Sequence, residues 1–284
     1  FRLPSGRSHR ERVKAPVSSK SGALRWGQDR ERHLVQHGLP EPKKEVPTLA
    51  KFEPKFIEWA KGEKQKPSAI EAKRGLFRVH LVPLLGDKRL DEITNADVAA
   101  LKARFHEHSA STTNNALSAL SGCLKVAVEL DVLDRMPCTI GRLKIPKTFP
   151  RYFEFEDYER LVDAARQADS ETYVAVLLGG DAGLRAGEIL ALEWPDVVLS
   201  RGLLKIERSD WRGRIVATKG NESRPVPTTK RLLAALKSHR HLRGPNVLSA
   251  DGGRRLTIPE LWSLIDPAFK RANLRPGLHV LRHT

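Results

Sequence analysis

The stretch DAGLRAGEILALEW, Asp181 to Trp194, puts Arg185 where a glycine-containing loop gives way to apolar residues recurring on one helical face. Glu188 follows three residues later, on the same face of that helix, so its carboxylate can hold the guanidinium while the fork points elsewhere. Near the other end, GLHVLRHT repeats the device, with His279, Arg282 and His283 at i, i+3 and i+4. Between the two, ATKGNESRPVP places Lys219 beside Gly220 and Asn221, at the tip of a predicted hairpin. Two planar cations, an imidazole and a flexible ammonium are the parts needed to hold a phosphodiester through its transition state. Arginine offers paired donors to the non-bridging oxygens. Such donors act where charge develops as phosphorus becomes five-coordinate. Lysine or histidine can move protons to or from the bridging oxygens.

Each piece taken singly has a plainer reading. A lone lysine in a turn is usually solvated, and an arginine on a surface needs no reason. His279 and His283 have the i, i+4 spacing of a zinc pair, but HVLRH lacks the Glu of the H-E-x-x-H motif and carries a repelling Arg282. His33 and His37 share that spacing inside a basic arm. His106 and His108, and likewise His239 and His241, sit among charged residues and read as surface. Phe52, Phe56 and Trp59 form a stripe that reads as core rather than as a base-stacking platform.

The elements that must position these groups fall into segments. Residues 1–45 form a basic N-terminal arm, with eleven Lys or Arg against five Asp or Glu. Within it HRERVKAPV predicts an edge strand and SGALRWGQDRERHLVQHG a helix ending near Gly38, against the plainer reading of the arm as a disordered basic tail. The proline-punctuated LPEPKKEVP then leads into residues 46–140, read as a four-helix domain. Its helices are TLAKFEPKFIEWAKG, AIEAKRGLFRVHLVPLLGDKRL closed by Pro83 and Gly86, DEITNADVAALKARF, and STTNNALSALSGCLKVAVELDVL. The third has the best-marked start: Thr94 as N-cap, Asp97 completing a capping box, and Ile93 stapling onto Val98. Residues 141–152, with four basic residues and no acid, read as a linker. Residues 153–284 form a second, mixed domain. It opens with the helix FEDYERLVDAARQA and the buried helix around TYVAVLLGG. The short runs GLLKIERSD, GRIVATKG and SRPVPTT predict a small antiparallel sheet, and KRLLAALKSHRHL and TIPELWSLIDPAFKRANL predict further helices.

Composition narrows the partner. The 284 residues carry 50 Lys plus Arg against 34 Asp plus Glu, a net charge of +16, which favours a polyanion such as nucleic acid. Two cysteines, Cys123 and Cys138, make neither a disulfide framework nor a zinc quartet, and fit a reducing cytoplasm. No apolar run is long enough to cross a bilayer. A first residue of Phe1 rather than Met points to a start inside a longer protein.

In this order and context, GLRAGEILALEW, TKGNESRPVP and HVLRHT closely resemble the three boxes of the tyrosine recombinase (phage integrase) family. Trp194 and Asp196 fit the stretch that follows the first box. The resemblance covers about residues 46–284. It implies a mainly α fold with a small antiparallel β-sheet: a helical core-binding (SAM-like) DNA-binding domain, then a mixed α+β catalytic domain, with residues 1–45 part of an arm-type DNA-binding domain. It also implies roles. Arg185 and Arg282 would clamp the scissile phosphate, Lys219 would protonate the leaving 5′ oxygen, and His279 would bond the phosphate or assist proton transfer. Glu188 and His283 would support them.

The implied function is site-specific DNA recombination through a 3′-phosphotyrosyl intermediate, integrating or excising a mobile element. That chemistry needs no metal and no cofactor. The implied partners are double-stranded DNA attachment sites and, for the complete protein, a homotetramer on DNA in the bacterial or phage cytoplasm, with no membrane. The family's nucleophile is a tyrosine several helices beyond the Arg-His box. Tyr152, Tyr158 and Tyr173 all precede Arg185, so the chain to Thr284 is expected to bind DNA without cleaving it. The rival readings are a non-catalytic DNA-binding relative that occupies or regulates recombination sites, and a metal-dependent hydrolase built on His279 and His283. A type IB topoisomerase shares the chemistry, but the small helical first domain fits recombinases better.

Overall fold

Two apolar stripes, one on either side of the basic segment near residue 145, bury separately and give the chain two units, residues 1–145 and 146–284. The computed structural model describes residues 8, 10–38, 45–146, 149–218 and 223–284.

In the first unit, α1 (Lys20–His37) begins at Ser19, whose hydroxyl accepts from Gly22 N, and ends at Gly38 with φ 81, a conformation glycine adopts without steric cost. The edge strand expected at HRERVKAPV does not form among the described residues, where 10–16 are irregular. Glu11 instead accepts from Arg30 Nε at 2.7 Å and Nη2 at 2.5 Å, which ties the segment to the helix side by charge rather than to a strand partner by backbone bonds.

The four-helix region follows. α2 (Leu49–Gly62) buries Leu49, Phe52, Phe56, Ile57 and Ala60. Trp59, expected in the same core stripe, is only half-buried; its ring lies 6.2 Å from that of Phe56 and its Nε1 donates to Glu129 at 3.2 Å. α3 (Pro67–Leu76) continues through a π turn over Phe77–Leu81 into α4 (Val82–Leu85). Pro83 therefore does not close this helix. A proline lacks the N–H and crowds the carbonyl four residues back. The π turn, in which Val82 N–H reaches Phe77 O, widens the helix just ahead of it and lets the chain run on to Gly86. α5 (Asn95–Arg104) has the expected capping box, with Asp97 Oδ2 accepting from Thr94 N at 2.8 Å. α6 (Ala110–Glu129) is the central helix, with Leu117, Leu120, Cys123 and Leu124 fully buried. Asn114 on its inner face exchanges two hydrogen bonds with the backbone of Leu143, at 2.8 and 2.9 Å, and fastens the start of the following segment to this unit.

In the second unit, α7 (Phe155–Ala168) and α8 (Ser170–Gly180) pack as a pair, and α8 is sealed by the helices around it. Its residues Val174 to Leu178 are at most 1% exposed, as their all-round apolarity predicts. A Cβ on Gly180 would lie 2.2 Å from the Tyr158 hydroxyl, so only glycine allows α7 this close. After α9 (Ala186–Ala191) come β1 (Val197–Val198), β2 (Leu203–Ile206), β3 (Arg208–Trp211), β4 (Arg214–Ala217) and β5 (Arg224–Pro227).

The strands form two antiparallel groups rather than one sheet. β1-β2-β5 is a three-stranded sheet with Leu204 opposite Val226, and β3-β4 is a separate hairpin with Asp210 opposite Ile215. The run GLLKIERSD breaks at Glu207 because its two halves pair with different strands. α10 (Lys230–His239), α11 (Ile258–Arg271) and the short α12 (Leu278–Leu281) complete the unit, and α8 touches all three. His239 is a correction to the surface reading: it is 5% exposed, with Nε2 at 3.0 Å from Val247 O and Nδ1 at 3.1 Å from Ser170 Oγ. His241 shares the Val247 carbonyl at 3.2 Å, and both imidazoles lie against Trp194. Counting charged neighbours in the chain could not reveal this, since the indole and the carbonyl arrive from distant residues.

Candidate active site

The loop between α8 and α9 is held at both ends before any functional side chain is placed. Asp181, the C-cap of α8, has a side chain only 1% exposed, which accepts from Tyr158 Oη at 2.6 Å, from Arg231 Nε at 2.8 Å and Nη2 at 2.7 Å, and from Thr229 Oγ1. Burial opposes its ionisation, but the bonds from Arg231, Thr229 and Tyr158 outweigh that and hold its carboxyl below the usual carboxylate range. Two residues on, Gly183 takes φ +59, which favours glycine, and its carbonyl accepts from Arg282 Nη1 at 2.6 Å. At the far end, the first turn of α9 lies directly on β3. A Cβ on Gly187 would stand 2.5 Å from Ser209 Oγ and 2.6 Å from Asp210 O.

Arg185 is the N-cap of α9, with extended backbone, and Glu188 is the third residue of the helix. The Glu188 side chain is fully buried and is the hub of the site. Its Oε2 accepts from Arg185 N at 2.9 Å and its Oε1 from Arg185 Nη1 at 2.9 Å. Arg224, on β5, binds it through both ends of its fork, Nη1 to Oε1 at 3.1 Å and Nη2 to Oε2 at 2.7 Å. Arg282, the C-cap of α12, brings Nη1 to 3.7 Å from Oε2. Burial would push the Glu188 carboxyl up; the Arg224 bonds first, then those from Arg185, reverse this and hold it below its usual range. Arg282 is shifted below the ordinary arginine value, by burial and by the like charges of Arg185 and Arg224, with Glu188 acting the other way.

The three guanidiniums differ in what remains to donate. Both terminal nitrogens of Arg224 are engaged by Glu188, so Arg224 acts as a strut. Arg185 uses only Nη1 of its side chain, and Arg282 only Nη1, so each keeps Nε and Nη2 for an incoming oxygen among the described residues. Arg185 and Arg282, about a hundred residues apart in sequence, are thus brought onto one carboxylate with donors to spare. Sequence reading singled out Arg185, Glu188 and Arg282 and passed over Arg224 as an anchor. Its signal was present in the alternation of SRPVP, which puts Arg224 and Val226 on the same side of the strand.

His279 and His283 are both exposed on α12 and just beyond it, with Nε2 atoms 3.2 Å apart and rings at 85°. At that distance one imidazole can donate to the other. Among the described residues no group of three or more His, Cys, Asp or Glu could hold a metal ion. Lys219 lies outside the described residues. The strands on either side of it, β4 and β5, pair with β3 and β2 rather than with each other, so the expected pairing of those two runs is not found among the described residues. Of the tyrosines, Tyr158 donates to Asp181 and is pushed up by burial and then by that bond, Tyr173 accepts from Arg166 at 3.0 Å, and Tyr152 is exposed.

Residues 151–284 match the phage integrase family. Among curated proteins the chain is 27% identical over 192 residues to the tyrosine recombinase XerA of Thermococcus kodakarensis, covering 66% of this chain and 65% of that one. It is 25% identical over 182 residues to the ICEBs1 integrase of Bacillus subtilis, covering 61% of this chain and 49% of the integrase. The matched region thus spans 65% and 49% of the length of these two relatives. Among solved structures, a lambda integrase tetramer bound to a Holliday junction superposes with a TM-score of 0.67 at 17% identity, covering 100% of this chain and 85% of that one. The Tn1549 transposon integrase in complex with a circular intermediate DNA gives 0.70 at 18% identity, covering 84% and 85%. At these identities the structural likeness establishes the fold: a mainly helical chain with a small antiparallel sheet.

Proposed function

This chain belongs to the tyrosine recombinase (phage integrase) family through residues 151–284, and from that premise we propose that it is the DNA-holding part of a site-specific recombinase that integrates or excises a mobile element. The observation that carries the proposal is the buried Glu188 carboxylate gathering Arg185, Arg224 and Arg282, with two of the forks left able to donate. Residues 46–140 would serve as the core-binding domain and 153–284 as the catalytic domain, joined by 141–152, and residues 1–45 would add an arm contact.

In the reaction, Arg185 and Arg282 bind the two non-bridging oxygens of the scissile phosphate. A tyrosine oxygen attacks phosphorus, the bond to the 5′ oxygen breaks, and the phosphate stays joined to the tyrosine as a 3′-phosphotyrosyl ester. Lys219 gives its proton to the departing 5′ oxygen, and His279, paired with His283, bonds the phosphate or carries the proton the nucleophile loses. The energy of the broken ester is kept in the new one, so rejoining needs no nucleotide cofactor. Tyr158 and Tyr173 are engaged with Asp181 and Arg166, and the nucleophile is assigned to none of the three tyrosines of the sequence. The complete protein is proposed to act as a homotetramer on two duplexes, in the cytoplasm where its attachment sites are.

The decisive experiment compares the source protein with its Arg185→Ala variant on a nicked duplex carrying the attachment site. The variant should keep most of its binding and lose the covalent protein–DNA adduct seen after denaturing electrophoresis. Normal adduct formation by the variant would sink the assignment. Duplex binding by the source protein with no adduct in either protein would favour the non-catalytic DNA-binding relative.

A further inference from the structure

The hairpin of β3 and β4 is not needed to complete the three-stranded sheet, yet it packs on the turn that carries Arg185 and Glu188, with the Ser209 hydroxyl and the Asp210 backbone against Gly187. Its base is fixed from inside. Asp210 is 8% exposed, accepts from Gly213 N at 2.9 Å, and faces Arg255 Nη1 at 3.4 Å. Its tip faces outward. Trp211 is half-buried and Arg212, Gly213, Arg214 and Ile215 are all exposed, with the Arg212 guanidinium 5.6 Å from the Trp211 ring. Neither carboxylate of the hairpin is presented at the outer face of the tip: Asp210 is buried beneath the turn, occupied by Gly213 N and Arg255, and Glu207 stands just ahead of β3.

The turn itself is strained in an informative place. Arg212 has φ 53 and Gly213 φ 80, the two left-handed residues of a two-residue hairpin turn. The first of these positions prefers Asn, Asp or Gly, and a long cationic side chain there sits against its backbone preference. We propose, resting on the recombinase reading, that this tip is a second DNA contact: Arg212 and Arg214 bind phosphates flanking the scissile one, with Trp211 shielding the Arg212 guanidinium. The partner is fixed by charge, since the exposed tip offers two guanidiniums and no acid. It is also fixed by reach, since the tip stands two residues, about 7 Å of strand, beyond the Ser209–Asp210 contact with the active-site helix.

The test uses the 284-residue chain and a fluorescein-labelled 40-base-pair duplex, with affinity read by anisotropy from about 50 to 200 mM salt. The double variant Arg212→Asn, Arg214→Gln removes both charges while giving the turn a residue it prefers, so its melting temperature should equal or exceed the parent's. Each lost phosphate contact lowers the slope of log affinity against log salt by about 0.9, so the slope should fall by about 1.8 and the parent should lose roughly 12-fold more affinity than the variant over that salt range. Arg212→Lys with Arg214→Lys should restore the slope. A double variant with the parent's slope overturns the tip contact and leaves the recombinase reading standing. A parent that does not bind the duplex overturns both.

Discussion

Glu188→Ala tests whether the site is assembled around one carboxylate. The substitution deletes the acceptor of four hydrogen bonds, from Arg185 N and Nη1 and from both terminal nitrogens of Arg224, and the carboxylate 3.7 Å from Arg282 Nη1. Removing one partner of a buried pair typically costs about 3–5 kcal/mol, because the other is left uncompensated. Here Arg185 and Arg224 are 36% and 33% exposed, so water reaches the orphaned guanidiniums and the lower end, about 3 kcal/mol, is expected. For a unit of this size about 1 kcal/mol moves the melting temperature by roughly 3 °C, so a drop near 10 °C should appear by calorimetry at pH 7. Glu188→Gln keeps the shape and one acceptor but turns an amide NH2 toward guanidinium donors, and should lose about 2 kcal/mol.

The pH dependence supplies a second reading of the same variant. The folded carboxyl is held below its unfolded value, which is about 4.3 for glutamate. Its contribution is therefore fully present above that value and is lost as pH falls through the lower folded pKa. The gap between parent and variant should be constant from pH 8 to 5 and close in more acid solution. A gap under about 3 °C at pH 7, or one that persists unchanged at pH 3, would refute the reasoning.

Gly187→Ala should disturb the same site from behind. Its Cβ would meet Asp210 O at 2.6 Å, which is backbone and cannot rotate away, so α9 must shift off β3 at a cost of about 2–3 kcal/mol, seen as a lower melting temperature and a loss of strand cleavage by the source protein. In the first unit, Thr94→Ala removes the hydroxyl that accepts from Asp97 N and should lower stability by about 1 kcal/mol in denaturant titration, while Thr94→Ser should be near neutral. The Cys123 thiol is fully buried and pushed up to about 12, by burial first and then by the charge of Glu53, so a disulfide reagent at pH 8 should modify the half-buried Cys138 in the native chain and Cys123 only in denaturant.

Much of this arrangement could be read from residue order alone, for a physical reason. Arg185, Glu188 and Arg282 sit at helix termini, where spacing and capping chemistry fix the local geometry over three or four residues. The Thr94–Asp97 box, the end of α1 at Gly38 and the burial of α8 were legible on the same grounds. What escaped depends on contacts between distant residues. Arg224 is an ordinary strand arginine until β5 pairs with β2 and carries it beside Glu188. His239 reads as surface until Ser170 and Val247 close over it. Pro83 reads as a stop until the π turn makes room for it. The division of the strands into a sheet and a separate hairpin is likewise a matter of partners, which alternation within a strand does not encode.

The charge of the cluster agrees with the work proposed for it. Arg185, Arg224 and Arg282 around one ionised Glu188 leave two positive charges uncompensated by protein. A phosphodiester carries one negative charge, and addition of an anionic nucleophile raises it to two in the five-coordinate species. A site holding two surplus positive charges therefore gains more from the transition state than from the ground state, which is the condition for accelerating a reaction rather than binding its substrate. The proton affinity of Arg282 is lowered by burial first and then by the charge of Arg185, with Glu188 opposing and Arg224 adding to the effect, so the like charges act in the direction the surplus requires. Glu188 limits that repulsion enough for the fold to hold three guanidiniums together, while Gly183 O keeps Arg282 oriented toward the phosphate it is proposed to meet. Replacing Arg224 by lysine should separate these roles: the charge is kept, the two-pronged bond to Glu188 is lost, and catalysis should fall more than duplex binding. Equal losses in both would mean that Arg224 contacts DNA directly and is not the strut that its bonds to Glu188 describe.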